Sequence, residues 1–152
     1  MAYWIWFPHD FEIDLRGKVE MRRQEHGMTC PSIWRMDAPG RSIAFHKRYH
    51  LDKPGRTRMA SQGGAYVMLD GAAAKDKSEW IDLPAGDHFL NIQVMNLNGL
   101  PALYLEGDLS TDDTFLACEN NADEVPCGWS PLFDTWKKRP ENYALPTRRL
   151  EA

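Results

Sequence analysis

The sequence predicts an all-β fold: an antiparallel β-sandwich or jelly roll with extended N- and C-terminal segments. Three observations lead there. Apolar residues alternate with period two from residue 42 onward. Turn-forming pairs recur at intervals of roughly 8–12 residues, the spacing of short strands in sandwiches. No stretch sustains the 3.6-residue period of a long helix.

Taken in order, residues 1–41 form an aromatic-rich N-terminal segment without clean alternation, and five aromatic residues fall between Tyr3 and Glu12. Residues 42–118 are the strand-rich core. There Ile43, Phe45, Tyr49 and Leu51 alternate with Ala44, His46, Arg48 and His50, as a half-buried strand requires. Lys47 interrupts the apolar side, which places this strand near a sheet edge. Leu90, Ile92 and Val94 alternate with Asn91, Gln93 and Met95, and shorter strands are predicted at Ala65–Leu69, Trp80–Leu83, Ala102–Glu106 and Thr114–Cys118. Pro54-Gly55, Gly63-Gly64, Asp70-Gly71, Pro84-Ala85-Gly86-Asp87, Asn98-Gly99 and Gly107-Asp108 supply the positive or fixed φ angles that reversals need. Ala72–Lys77 is the one segment read as a helical turn or two. Residues 119–152 are a loop and a tail carrying Pro131, Pro140 and Pro146, read as extended chain leaving or wrapping the sandwich. The 152 residues suit one module.

A formal charge of −4 and a pI near 5.7 argue against a duplex nucleic-acid partner, which requires a basic stripe. Arg22-Arg23 and Lys137-Lys138-Arg139 are short clusters among polar neighbours. No apolar run reaches membrane-spanning length, and the first residues lack the flanks of a secretory signal, so the expectation is a cytoplasmic chain without a membrane partner. The cysteine count of three leaves no closed disulfide framework, although Cys118 and Cys127 could bridge if the fold brings them together. Neither the cysteines nor His26, His46, His50 and His88 repeat at a zinc-ligand spacing.

Catalytic signatures are missing: there is no nucleophile elbow, no phosphate-binding glycine loop and no His-Glu-x-x-His pair. Asp112-Asp113, Glu119, Asp123 and Glu124 fall in an acidic loop region, which is ordinarily solvated. Glu119, Asn121 and Asp123 offer oxygen ligands for calcium, at a spacing that is not the EF-hand loop. No other cofactor is expected. The aromatic and arginine supply is more suggestive. Trp4, Trp6 and Trp34 with Arg22, Arg23 and Arg35 could form stacking platforms with guanidinium donors, a combination suited to sugars. Each of the six tryptophans has an equally physical alternative use in core packing.

Several strings occur in a particular order: Trp4-Ile-Trp-Phe-Pro-His-Asp-Phe-Glu-Ile13, Met21-Arg-Arg23, Trp34-Arg-Met-Asp37, Met68-Leu-Asp-Gly71, Leu83-Pro-Ala-Gly86 with His88, and Gly99-Leu-Pro-Ala-Leu-Tyr-Leu-Glu-Gly107. Over roughly residues 3 to 115 the chain resembles the N-terminal β-sandwich region of bacterial α-L-rhamnosidases, glycoside hydrolase family 78. It departs from that pattern at His9, where a glycine is expected, at Cys30, where a proline is expected, and near Phe115, where a tryptophan is expected. The resemblance implies a galactose-binding-like sandwich beside a catalytic (α/α)6 barrel that holds two well-separated carboxylates. No residue here matches those carboxylates, and the chain ends before such a barrel would begin. The expected role is therefore a non-catalytic accessory domain whose partner is a downstream catalytic domain of the same polypeptide. Two alternatives stand beside it: an autonomous carbohydrate-binding module recognising rhamnose or a related sugar, and an oligomerisation or assembly domain anchored by Trp4, Trp6 and Leu132.

Overall fold

The alternating run at residue 43 folds as a long strand because every second side chain can leave water together. In the computed structural model, which describes residues 2–7, 41–74, 79–96, 101–119, 123–129 and 133–138, it spans Arg41–Leu51 and is β2. Before it lies β1 (Ile5–Trp6), and after it come β3 (Gly55–Gln62), β4 (Gly64–Leu69), β5 (Ala72–Ala73) and β6 (Trp80–Leu83). The remaining strands are β7 (Gly86–Asn96), β8 (Ala102–Gly107), β9 (Leu116–Glu119), β10 (Val125–Pro126) and β11 (Gly128–Trp129). All pairings are antiparallel. The strands make a five-stranded sheet of order β11-β1-β8-β3-β6 and a six-stranded sheet of order β10-β9-β2-β7-β4-β5. The predicted antiparallel sandwich is thus the observed fold.

Register decides what each sheet buries. β2 and β7 pair over eleven residues, from Arg41 opposite Asn96 to Leu51 opposite Gly86. That register sets Ile43 beside Val94, Phe45 beside Ile92 and Lys47 beside Leu90 on one face. These apolar residues meet Ile5, Ile81, Leu83, Leu103 and Leu105 of the other sheet in the main core. Each such side chain contributes about 1.5–3 kcal/mol when removed from water.

The five-stranded sheet is covered on its second face as well. Trp4, Trp6, Ala60, Ala102, Tyr104 and Phe133 form a second core, with Trp136 packed against it. Residues 133–138 cross this face. Trp4 donates its indole N–H to the Thr135 carbonyl at 3.0 Å and stacks on Tyr104 at 5.4 Å, while Trp6 meets Phe133 edge-on at 5.6 Å. Burial also pushes the Tyr104 phenol up to about 12. Thr111 ties the first strand down: its hydroxyl donates to the Tyr3 carbonyl, and its own carbonyl accepts from Tyr3 N–H at 2.9 Å.

Two local expectations change, and two open points are settled. β2 is not an edge strand; β9 flanks it from Ile43 to His46 and stops there, and Lys47 lies just beyond, donating to Thr114 Oγ1 at 2.6 Å. Ala72 and Ala73 pair with Leu69 and Met68 as β5, because Asp70 and Gly71 take φ of 52° and 83° and reverse the chain within two residues. Lys75 to Ser78 lie outside the described residues. β3 has no apolar alternation to announce it. Its polar residues Thr57 and Gln62 are buried, and Thr57 donates to the Leu109 carbonyl at 2.6 Å. Cys118 and Cys127 form no disulfide; both are buried, and the Cys127 thiol faces the Asp112 carbonyl at 3.4 Å, with burial pushing it up to about 12.

Gly128 sits opposite Trp6, and a Cβ there would lie 2.2 Å from the indole nitrogen of a fully buried ring. Gly128→Ala is expected to cost about 1–3 kcal/mol through overpacking, read as a lower urea midpoint. An unchanged midpoint would show that the indole yields freely.

Candidate functional site

The six-stranded sheet turns its other face outward, and period two dictates its content. β2 contributes Ser42, Ala44, His46, Arg48 and His50; β7 contributes Asp87, Phe89, Asn91, Gln93 and Met95. Ala44 lies between Gln93 and Cys118 in register, and His46 lies between Asn91 and Leu116. Since Ser42 and Ala44 are short, the middle of this face sinks below its neighbours. The result is a hollow of about 420 Å³ lined by Ser42, Ala44, His46, Phe89, Asn91, Gln93 and Cys118. A second depression of about 280 Å³ adjoins it along Lys47, Arg48, Thr114, Leu116 and Glu124, sharing His46 and Phe89.

Among the described residues, no carboxylate and no permanent cation lines the main hollow. Its charge lies at the rim, where His46 Nδ1 is 3.2 Å from Glu124 Oε1 and the Arg48 guanidinium sits 4.8 Å from the centre of the Phe89 ring. The His46 and Phe89 rings are 5.2 Å apart, so the aromatic wall is held from two sides. Asn91 Oδ1 is buried without a hydrogen-bond partner among the described residues, and His46 Nδ1, despite Glu124, lacks an aligned one. Tyr66, Met95 and Leu116, three of the four large hydrophobic side chains exposed among the described residues, belong to strands of this sheet. Tyr66 stands opposite Gln93. Such a surface can hold a ligand through neutral donors and acceptors beside apolar walls.

One end of the same sheet carries paired imidazoles. His88 Nδ1 donates to Asp70 Oδ2 at 2.6 Å and Nε2 donates to the Ala85 carbonyl at 2.8 Å. Both partners are acceptors, so this geometry favours the doubly protonated ring. Asp70 in turn accepts the Phe89 backbone N–H at 2.9 Å, which ties the β4–β5 turn to β7. His50 is held likewise, between Asp87 at 2.7 Å and Asp52 at 3.1 Å. The bond to Asp70, then that to Ala85, raises His88 above the ordinary 6.5, and the bonds to Asp87 and Asp52 raise His50. Asp70 is lowered from 3.8, chiefly by His88.

These directions fix the sign of a pH dependence. The imidazolium bonds stabilise the fold fully below pH 6.5 and are lost as pH rises through the raised folded values. The Asp70 contribution is present above 3.8 and is lost as pH falls through its lowered value. The urea midpoint should therefore fall as pH rises above 6.5, and His88→Gln combined with His50→Gln should flatten that fall. An undiminished decline in the double variant would refute this role of the two imidazoles.

Of the residues first marked for sugar and metal, the structure describes Trp4, Trp6, Glu119 and Asp123, and none of these four lines the hollow. Trp4 and Trp6 have no exposed surface and face Tyr104 and Phe133, so neither ring offers a platform or an assembly anchor. Arg22, Arg23, Trp34, Arg35, Asn121 and Leu132 lie outside the described residues. Glu119 pairs with Ile43 at the end of β9, and Asp123 is exposed in the following loop. Among the described residues no three potential ligands gather to hold a metal ion. Arginine–tryptophan stacking does occur, on the other sheet, where Arg56 covers Trp80 at 4.4 Å and Arg58 covers Trp136 at 4.0 Å. The hollow itself had one sequence signal: polar Asn91 and Gln93 and small Ser42 and Ala44 occupy the non-core positions of two alternating runs. No described helix is long and apolar enough to cross a membrane.

Comparison with known proteins places this geometry. An α-L-rhamnosidase from Aspergillus terreus superposes with a TM-score of 0.50 at 13% identity, over 78% of this chain and 16% of that one. The lectin of Pleurotus ostreatus, in its apo form, superposes with a TM-score of 0.53 at 14% identity, over 80% of this chain and 36% of the lectin. At such identities these likenesses concern the fold, and the chain spans only a fraction of either protein. No curated protein matches it. The family model described as alpha-rhamnosidase-like, bacteroidetes, N-terminal matches residues 43–125, which is more than half of the chain and runs from β2 into β10. The chain belongs to this N-terminal, alpha-rhamnosidase-like family.

Proposed function

We propose that this chain acts as a non-catalytic accessory β-sandwich of an α-L-rhamnosidase-like glycoside hydrolase, supporting or positioning a catalytic domain of the same polypeptide. The family match carries this reading, because it falls on the strands that build the sandwich. The disposition of the carboxylates supports it. Glycoside hydrolysis needs one carboxyl kept protonated as an acid and a second as base or nucleophile. Here Asp70 holds a turn and is lowered rather than raised, Asp108 accepts the Arg56 N–H at 2.8 Å, and Asp112 accepts the Thr114 N–H at 2.8 Å. These carboxylates fasten backbone.

The purified chain should release no p-nitrophenol from p-nitrophenyl α-L-rhamnoside above the buffer rate. Release proportional to protein concentration would overturn the accessory reading.

A further inference from the structure

The hollow on the six-stranded sheet has a composition that selects its ligand. Its polar groups are two carboxamides, a hydroxyl and an imidazole, and its apolar wall is one phenyl ring. Phosphates and carboxylates are recognised by guanidinium or ammonium groups, and the described lining holds neither. An apolar protein segment fits no better, since the core of a protein interface is rich in aromatic, Met and Arg side chains and the described lining supplies one phenyl ring. Carboxamide and hydroxyl groups beside an aromatic face match a neutral polyol ring, which has hydroxyls around its edge and C–H groups on its face.

We infer that this hollow is a binding site for a neutral saccharide, with Asn91, Gln93 and Ser42 meeting its hydroxyls and Phe89 and Tyr66 flanking its ring. The size agrees. About 420 Å³ lies at the small end of ligand sites, room for one or two sugar rings. The orphaned atoms agree as well. Among the described residues Asn91 Oδ1 and His46 Nδ1 lack aligned partners, and a buried polar atom left unsatisfied favours any state that supplies one. Asn91 and Gln93 both line the hollow, and each carboxamide offers N–H donors to a ligand hydroxyl. The exposed ring of Tyr66, opposite Gln93, extends the apolar margin beyond the hollow. This site goes beyond the accessory role and stands on the hollow alone.

The test is a titration of the isotope-labelled full chain with L-rhamnose, D-galactose and D-glucose, one at a time, followed by amide spectra. The side-chain NH2 signals of Asn91 and Gln93 are assigned by their loss in Asn91→Ala and Gln93→Ala. Saturable shifts of both signals with at least one sugar are expected. Gln93 and Tyr66 are exposed, so Gln93→Ala and Tyr66→Ala should fold normally and weaken that binding about tenfold. Arg56→Ala, on the other sheet, should leave it unchanged. Three outcomes would overturn the site: no saturable shift with any of the three sugars, shifts confined to the five-stranded sheet, or affinity undiminished in both Gln93→Ala and Tyr66→Ala. A null titration leaves the accessory reading untouched, and rhamnoside turnover would overturn that reading without touching this site.

Discussion

The eleven-residue ladder between β2 and β7 is the constraint on which the rest depends. Its register does two things at once. On one face it aligns Ile43 with Val94 and Phe45 with Ile92, which closes the core between the sheets. On the other it aligns Ala44 with Gln93 and His46 with Asn91, which makes the hollow. A slip of one residue would exchange the two faces, sending Asn91 and Gln93 inward without partners. The core therefore fixes the candidate site: the same hydrophobic pairing that drives folding determines which polar groups stand together outside. At the end of the ladder His50 pairs with Asp87, while His88, beside Tyr49, reaches to the turn at Asp70.

The second sheet explains why the tryptophans are not the site. β1 is two residues long and lies between β11 and β8. Alternation sends Ile5 into the main core and Trp4 and Trp6 to the opposite face. There they would be exposed, but residues 133–138 cross over them, with Phe133 and Trp136 packing on the rings and on Tyr104. A large indole gains more from burial among other rings than from partial exposure, provided its N–H finds an acceptor, as Trp4 does at the Thr135 carbonyl. The five-stranded sheet thus carries apolar packing on both faces. The six-stranded sheet keeps an outward surface that is polar in the middle and apolar at its margin.

The family assignment and the geometry bear on different questions. The match from residue 43 to 125 concerns the strands that define the sandwich. It says nothing of the short residues at Ser42 and Ala44, which open the hollow. Those side chains lie on the surface and contribute little to folding, so their size reflects what the surface accommodates rather than what the core demands. The accessory role and the ligand site are accordingly separable properties of one scaffold.

Much of this architecture was legible from the residues. Period-two alternation located β2 and β7, and the glycine- and proline-containing pairs located the reversals, because these signals arise from local sterics and from solvent acting on single strands. The ordered strings from Trp4 to Gly107 pointed to the family. Other features are decided by contacts between distant segments. β3 is polar in sequence and central in the sheet, since Leu109 and the second core satisfy and cover it. Ala72 and Ala73 form a strand because two positive φ angles at Asp70 and Gly71 return them to β4. Sequence could count tryptophans but not say whether a ring faces water, because that depends on residues 133–138 arriving over Trp4 and Trp6. It could mark Asn91 and Gln93 as outward, but the hollow exists only when β2 and β9 set Ser42, Ala44 and Cys118 beside them. Alternation along one strand fixes direction; only the register between strands fixes neighbours, and a site is made of neighbours.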